Sequence, residues 1–134
     1  MMPNYLAELP HFFAFLGMGL LLLTVFWSLY TLVTPYNELD LIKAGNASAA
    51  IILAGAMIGF AIPIGVAMSK SETVMELAQW GVVALLVQLL VYLVLRVIHR
   101  DLHHAIEQDR ISVAVWGATL SLAAGIVNAG AQLA

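Results

Sequence analysis

A chain of 134 residues with 63% hydrophobic and 10% charged residues and a mean hydropathy of +0.98 has too little polar surface to cover a water-soluble globule. Its net charge of −3 is too small for a nucleic-acid footprint. The absence of cysteine excludes a disulfide framework, a thiolate metal site and a thiol nucleophile.

All the Asp, Glu, Lys and Arg residues fall outside four windows, 9–37, 44–69, 77–95 and 111–134. A helix of about 20 apolar residues crosses a hydrocarbon core of about 30 Å, so each window is long enough for one crossing. Lipid offers no partner for backbone N–H and C=O groups, and alternating barrel strands are absent, so the runs read as helices. The expectation is an all-α, polytopic membrane protein, one four-helix domain over 1–134, with spans at about 9–34, 46–69, 75–99 and 111–133.

The first span is preceded by no Lys or Arg and is much longer than a signal-peptide core of about 7 to 15 residues, so it is expected to remain in the mature protein. Pro10 suits its first turn, where a missing N–H does no harm. In the loop that follows, Asn37 is positioned to cap a short helix through Lys43, Gly45 to end it in a left-handed conformation, and Asn46 to cap the second span. Asn37, Glu38, Asp40, Lys43 and Asn46 thus mark a fixed elbow, with Leu39, Leu41 and Ile42 at the interface and Tyr36 beside headgroups.

The second span carries Gly55 and Gly59 in a GxxxG arrangement, with Ala50, Ala54, Ala61 and Gly65 on a neighbouring face. Pro63 frees the carbonyl of Gly59 near mid-membrane. On the third span, Gln88 shares a stripe with Tyr92 and Arg96, and is expected to reach that loosened backbone or the hydroxyls of Thr119 or Ser121. Beyond it, Ile98, Leu102, Ala105 and Ile106 recur at helical spacing, which predicts an amphipathic extension of the third helix. Such an extension would set His99, His103 and Glu107 on one face, a weak candidate for zinc without a fourth ligand; no metal or other cofactor is assigned. The fourth span repeats small and polar residues at steps of four and three: Ala114, Ala118, Ser121, Gly125, Asn128 and Gln132.

Gly, Ala and Ser number 4, 14, 3 and 12 in the four windows. Bulky, small, bulky, small predicts two similar helical hairpins, a parallel internal repeat, with the second and fourth helices closely packed or forming an oligomer interface. Lys43, Arg96, Arg100 and Arg110 lie on one side of the membrane and Lys70 on the other, which predicts periplasmic termini. Glu8, His11, Glu76, Gln79, Asn128 and Gln132 are expected near one another at that periplasmic face.

Thr34-Pro35-Tyr36-Asn37-Glu38, the run from Leu39 through Lys43 to Ala50, and Gly55, Gly59 and Pro63 together resemble the YjfL-like small inner-membrane proteins, the domain-of-unknown-function 350 family. Trp80-Gly81, the stretch 86–91, Arg96, Gly117-Ala118-Thr119 and 125–129 extend the resemblance over nearly the whole chain. It implies a four-helix bacterial inner-membrane protein, grouped with envelope-stress proteins, with no established chemistry and no active-site residues to carry over. His99, His103 and His104 depart from the pattern.

No nucleophile, carboxylate pair or strong metal motif shares a common site, so an enzyme is not expected. Charge-coupled transport is disfavoured because the windows hold no carboxylate, Lys or Arg. The expectation is a structural or adaptor component of envelope function, acting as a homo-oligomer among membrane lipids and meeting a cytoplasmic envelope-stress protein. The alternative is an oligomeric channel or transport subunit with a neutral path through Gln88, Thr119, Ser121 and Asn128.

Overall fold

The computed structural model describes residues 2–134, with side chains from Leu6 onward, and among them every regular element is helical. In chain order these are α1 (Met2–Val33), α2 (Glu38–Lys43), α3 (Ala47–Lys70), α4 (Val74–Ile98), α5 (Leu102–Glu107) and α6 (Ile111–Leu133). Four of them, α1 from Leu6, α3, α4 and α6, are long and apolar enough to cross a membrane. Their outer surfaces suit lipid: Leu32, Leu86, Leu90, Val97, Val127 and Leu133 are each 60% or more exposed.

The two small-residue helices make the closest pair. A methyl group built on Gly55 would stand 2.5 Å from both Cα and Cβ of Ala118, and one on Gly125 would stand 2.8 Å from Cα and the carbonyl carbon of Gly59. Only glycine permits backbones to approach this far, and in lipid such van der Waals contact is a main source of helix association. The α3 and α6 seam therefore closes within one chain. Gly65 and Ala54 lie away from it, on an exposed face.

Helix α1 packs against α3 and α4 through Phe15, Leu22, Phe26 and Tyr30, which recur at steps of seven and four. Phe26 stacks on Phe60 at 4.6 Å, and Tyr30 meets Tyr92 edge to face at 5.4 Å. Two sequence expectations need correction here. Helix α1 begins well before residue 9, so Pro10 lies inside it; the acceptor it strands is the Leu6 carbonyl, near an exposed helix end where polar surroundings can satisfy it. The amphipathic extension of the third helix does not form. Helix α4 stops at Ile98, the chain turns through His99 to Asp101, and α5 starts afresh. The turn buries Leu102, Ala105 and Ile106, an apolar gain that a straight helix running into solvent would forgo.

The loops on either side of α2 and α5 are built alike. Leu41 N–H donates to the Asn37 carbonyl, Ala44 to Asp40, Gly45 to Ile42 and Asn46 to Leu41; 64 residues later Ala105 donates to Asp101, Gln108 to His104, Asp109 to Ile106 and Arg110 to Ala105. Both turns need one left-handed residue, which is Gly45 at φ +90° in the first and Asp109 at φ +57° in the second.

Candidate functional site

Within the spans, Gln88 and Gln132 serve the helix contacts. Gln88, 2% exposed, donates through Nε2 to the carbonyls of Gly59 and Ser121, each at 3.1 Å, and so ties α4 to both α3 and α6. The first acceptor is the one Pro63 leaves without its helical N–H. The second is the backbone carbonyl of Ser121, not its hydroxyl. The Pro63 carbonyl in turn accepts from Gln132 Nε2 at 3.2 Å, and Lys70 Nζ donates to the Gln132 carbonyl at 2.8 Å while lying 3.4 Å from the centroid of the Trp80 ring. Gln88 Oε1, Asn128 Nδ2 and Gln132 Oε1 are buried without a protein partner.

Other expected members stand apart. Thr119 is exposed and its hydroxyl donates to its own helix at Val115, so it does not face Gln88. Glu8 and His11 share a surface pocket of about 570 Å³ with Phe12, Phe15, Leu16, Gly65, Met68 and Ser69. Glu76 instead accepts from the N–H of Glu72, Gln79 is exposed, and Asn128 and Gln132 are buried on α6. The six residues therefore do not gather in one place: α1 packs on α3 and α4, and α6 packs chiefly on α3. The break after Ile98 removes His99 from the helical face of His103 and Glu107, and among the described residues no group of three or more His, Asp or Glu side chains could hold a metal ion.

The α2 and α5 end is the richer surface. Asn37 caps α2 by accepting from Asp40 N–H at 3.2 Å, and Asn46 caps α3 by accepting from Ala49 N–H at 2.8 Å. Asn46 also donates from Nδ2 to the carbonyls of Ile106 at 2.8 Å and Glu107 at 3.3 Å, and Asp109 accepts from the N–H and the hydroxyl of Ser48 at 2.9 and 2.7 Å. The two loops are thereby bonded to each other. The Ser48 hydroxyl, and after it the Ser48 N–H, hold the Asp109 carboxyl below its ordinary range. Asp40 and Lys43 of the elbow are exposed.

Glu38 is different: only 2% exposed, it accepts from the hydroxyl of Thr34. Around it stand Tyr36 and Tyr30, whose hydroxyls are buried without partners, and Tyr92. Burial, followed by the neighbouring Tyr92, Glu38 and Glu107, keeps the Tyr36 phenol protonated well above its ordinary value. Arg96 donates to the Val33 carbonyl at 3.4 Å, with its guanidinium 6.0 Å from the Tyr92 ring. A groove of about 580 Å³ runs from Trp27, Ser28 and Thr31 of α1 to Thr34, Tyr36, Asn37 and Glu38. The i, i+4 spacing of Thr34 and Glu38 is the sequence signal for this pair; the tyrosines, spread over 62 positions, carry none.

The relatives found among known proteins are named as membrane proteins. The chain is 32% identical over 126 residues to the UPF0719 inner membrane protein YjfL of Escherichia coli strain K12, covering 94% of this chain and 96% of that protein, with the same figures for the YjfL of Escherichia coli O157:H7. It is 26% identical over 87 residues to the UPF0719 transmembrane protein YshE of Bacillus subtilis strain 168, covering 65% of each. No solved structure matches it. The model of the Domain of Unknown Function (DUF350) matches residues 4–132, and the chain belongs to that family.

Proposed function

We propose that this chain is a multi-pass inner-membrane scaffold, a structural or adaptor component of envelope function whose α2 and α5 face docks a cytoplasmic envelope-stress protein. The inner-membrane part rests on the four apolar helices and the YjfL relatives. The observation that carries the scaffold reading is Gln88 donating to both Gly59 and Ser121: the amide best placed to line a path is spent joining three helices. The bonded loops supply a rigid docking face. Basic residues concentrate on that side, which favours periplasmic termini. The shared turn of the two loops supports an ancestral parallel repeat of two hairpins. Since the α3 and α6 seam is internal, oligomers would use another surface, such as the exposed Ala54, Ile58 and Gly65 face of α3.

A channel subunit is the second reading, favoured by the unpartnered Gln88 Oε1, Asn128 Nδ2 and Gln132 Oε1, which could face water in an oligomer. Flux assays on purified protein in liposomes separate the two. The scaffold reading expects no leak, together with an envelope-stress phenotype that depends on Asn46 and Asp109; ion or solute leakage abolished by Gln88→Leu would overturn it.

A further inference from the structure

The two loops share a backbone pattern, so their corresponding positions can be compared directly. The residue after the first-loop cap Asn37 is Glu38, and the residue after Asp101 is Leu102; both are buried, at 2% and 1% exposure. Leucine shows what the fold asks of this position. Placing a carboxylate there costs desolvation that an apolar side chain avoids, and the bond from Thr34 and the place in the first turn of α2 offset only part of it. The difference extends to the surroundings: the first loop opens on the groove of about 580 Å³, whose lining residues carry one charged side chain, Glu38, and no cation.

That groove lies where headgroups lie. Thr31 and Ser28 are about 3 and 8 Å along the helix from Val33, the end of the α1 span, so the groove runs from the loop toward the acyl region. Trp27 and Tyr36 supply the aromatic rings typical of that depth. Thr34 occupies one carboxylate oxygen of Glu38 and leaves the other for a donor. The α2 cap uses only the side-chain oxygen of Asn37, which is exposed, leaving its Nδ2 donors free for a ligand. One anionic acceptor next to a neutral amide donor matches an ammonium next to a phosphate.

We propose that the groove between α1 and α2 is a headgroup site for a phospholipid bearing a primary ammonium, with Glu38 accepting from the ammonium and Asn37 Nδ2 donating to the phosphate. A glycerol headgroup leaves Glu38 without its cation, and a trimethylated amine has no N–H to donate.

Native mass spectrometry of the purified full chain, titrated with dioleoyl phospholipids that differ only in headgroup, tests this. Wild-type protein should bind the ethanolamine lipid about tenfold more tightly than the choline lipid, the step expected from one charge-assisted hydrogen bond, with mono- and dimethylated lipids between them. Glu38→Gln, which keeps an acceptor for Thr34, should bring ethanolamine and choline lipids to near equality. Asn37→Asp, which keeps the α2 cap oxygen and removes the Nδ2 donors, should weaken both alike. Equal binding of the two lipids by wild-type protein overturns the proposal, as does an ethanolamine preference that persists in Glu38→Gln. Displacement of the lipid by equimolar soluble phosphoethanolamine also overturns it, since the occupant would not then be a lipid. Should Glu38→Gln fail to fold, the methylation series on wild-type protein decides alone.

Discussion

Gln88→Leu tests whether one amide repairs the damage that Pro63 does to α3. Interhelical hydrogen bonds in membranes average about 0.6 kcal/mol, so the two from Nε2 are worth about 1 kcal/mol together. Losing them also leaves the Gly59 carbonyl buried with neither a side-chain nor a helical donor, which adds about 1 to 3 kcal/mol. Against this, leucine removes Gln88 Oε1, which already lacks a partner. The net expectation is a loss of about 1 to 3 kcal/mol.

The sharper form is a double-mutant cycle with Pro63→Ala. Alanine restores an N–H that donates to the Gly59 carbonyl, so in that background Gln88→Leu forfeits chiefly the Ser121 bond, about 0.6 kcal/mol. The cost of Gln88→Leu should therefore shrink by about 1 kcal/mol or more. Equilibrium unfolding in mixed micelles of the wild type, both single variants and the double variant measures the coupling. Costs that add to within about 0.5 kcal/mol would show that Gln88 does not serve the acceptor stranded by Pro63, and the reasoning would fail.

Other substitutions probe separate contacts. Gly125→Ala and Gly55→Ala force backbones apart and should each cost about 1 to 3 kcal/mol in the same unfolding assay, whereas Gly65→Ala and Gly130→Ala, with open space around them, should be neutral or stabilising by up to about 1 kcal/mol. Asn46→Ala removes the α3 cap and the bonds to Ile106 and Glu107, and should cost about 2 to 3 kcal/mol and speed amide exchange at Ala49. Because folding lowers the Asp109 value, its contribution is fully present above the unfolded value of about 3.9 and is lost as pH falls through the lower folded value. Unfolding midpoints measured from pH 5 downward should show a shallower acid limb in Asp109→Asn; an unchanged limb would refute the linkage.

The parts legible in the sequence are those decided locally. Charge-free windows report solvent, so the spans were readable to within a few residues except at the start of α1, where nothing in Leu6 to Leu9 breaks a helix and Pro10 is tolerated near an exposed end. Asn37, Gly45 and Asn46 act through their own neighbours, and all three take the roles their types imply. Gln88 and Gly59 were linkable because Pro63 names its own stranded acceptor. The turn at His99 was hidden, since the helical spacing of Leu102 and Ile106 is equally satisfied by a short helix folded back on the protein; tertiary burial chose between them. Asp109 was hidden for a related reason: its partner Ser48 lies 61 residues away.

That distant pair explains how the end bearing α2 and α5 is held. A left-handed residue is required where α5 ends, and glycine would meet the need as it does at Gly45. Asp pays a backbone penalty there but brings a carboxylate that binds both donors of Ser48, in the first turn of α3. Asn46 answers from the other side, capping α3 with its oxygen and holding the end of α5 with its nitrogen. Each loop thus completes the other's helix terminus, and neither can open without stranding polar groups of its partner. At the opposite end α3 and α6 are joined mainly through Lys70, Gln132 and the Pro63 carbonyl, a chain that ends in the unpartnered Gln132 Oε1. Local opening should therefore begin at the termini and leave the loop face ordered.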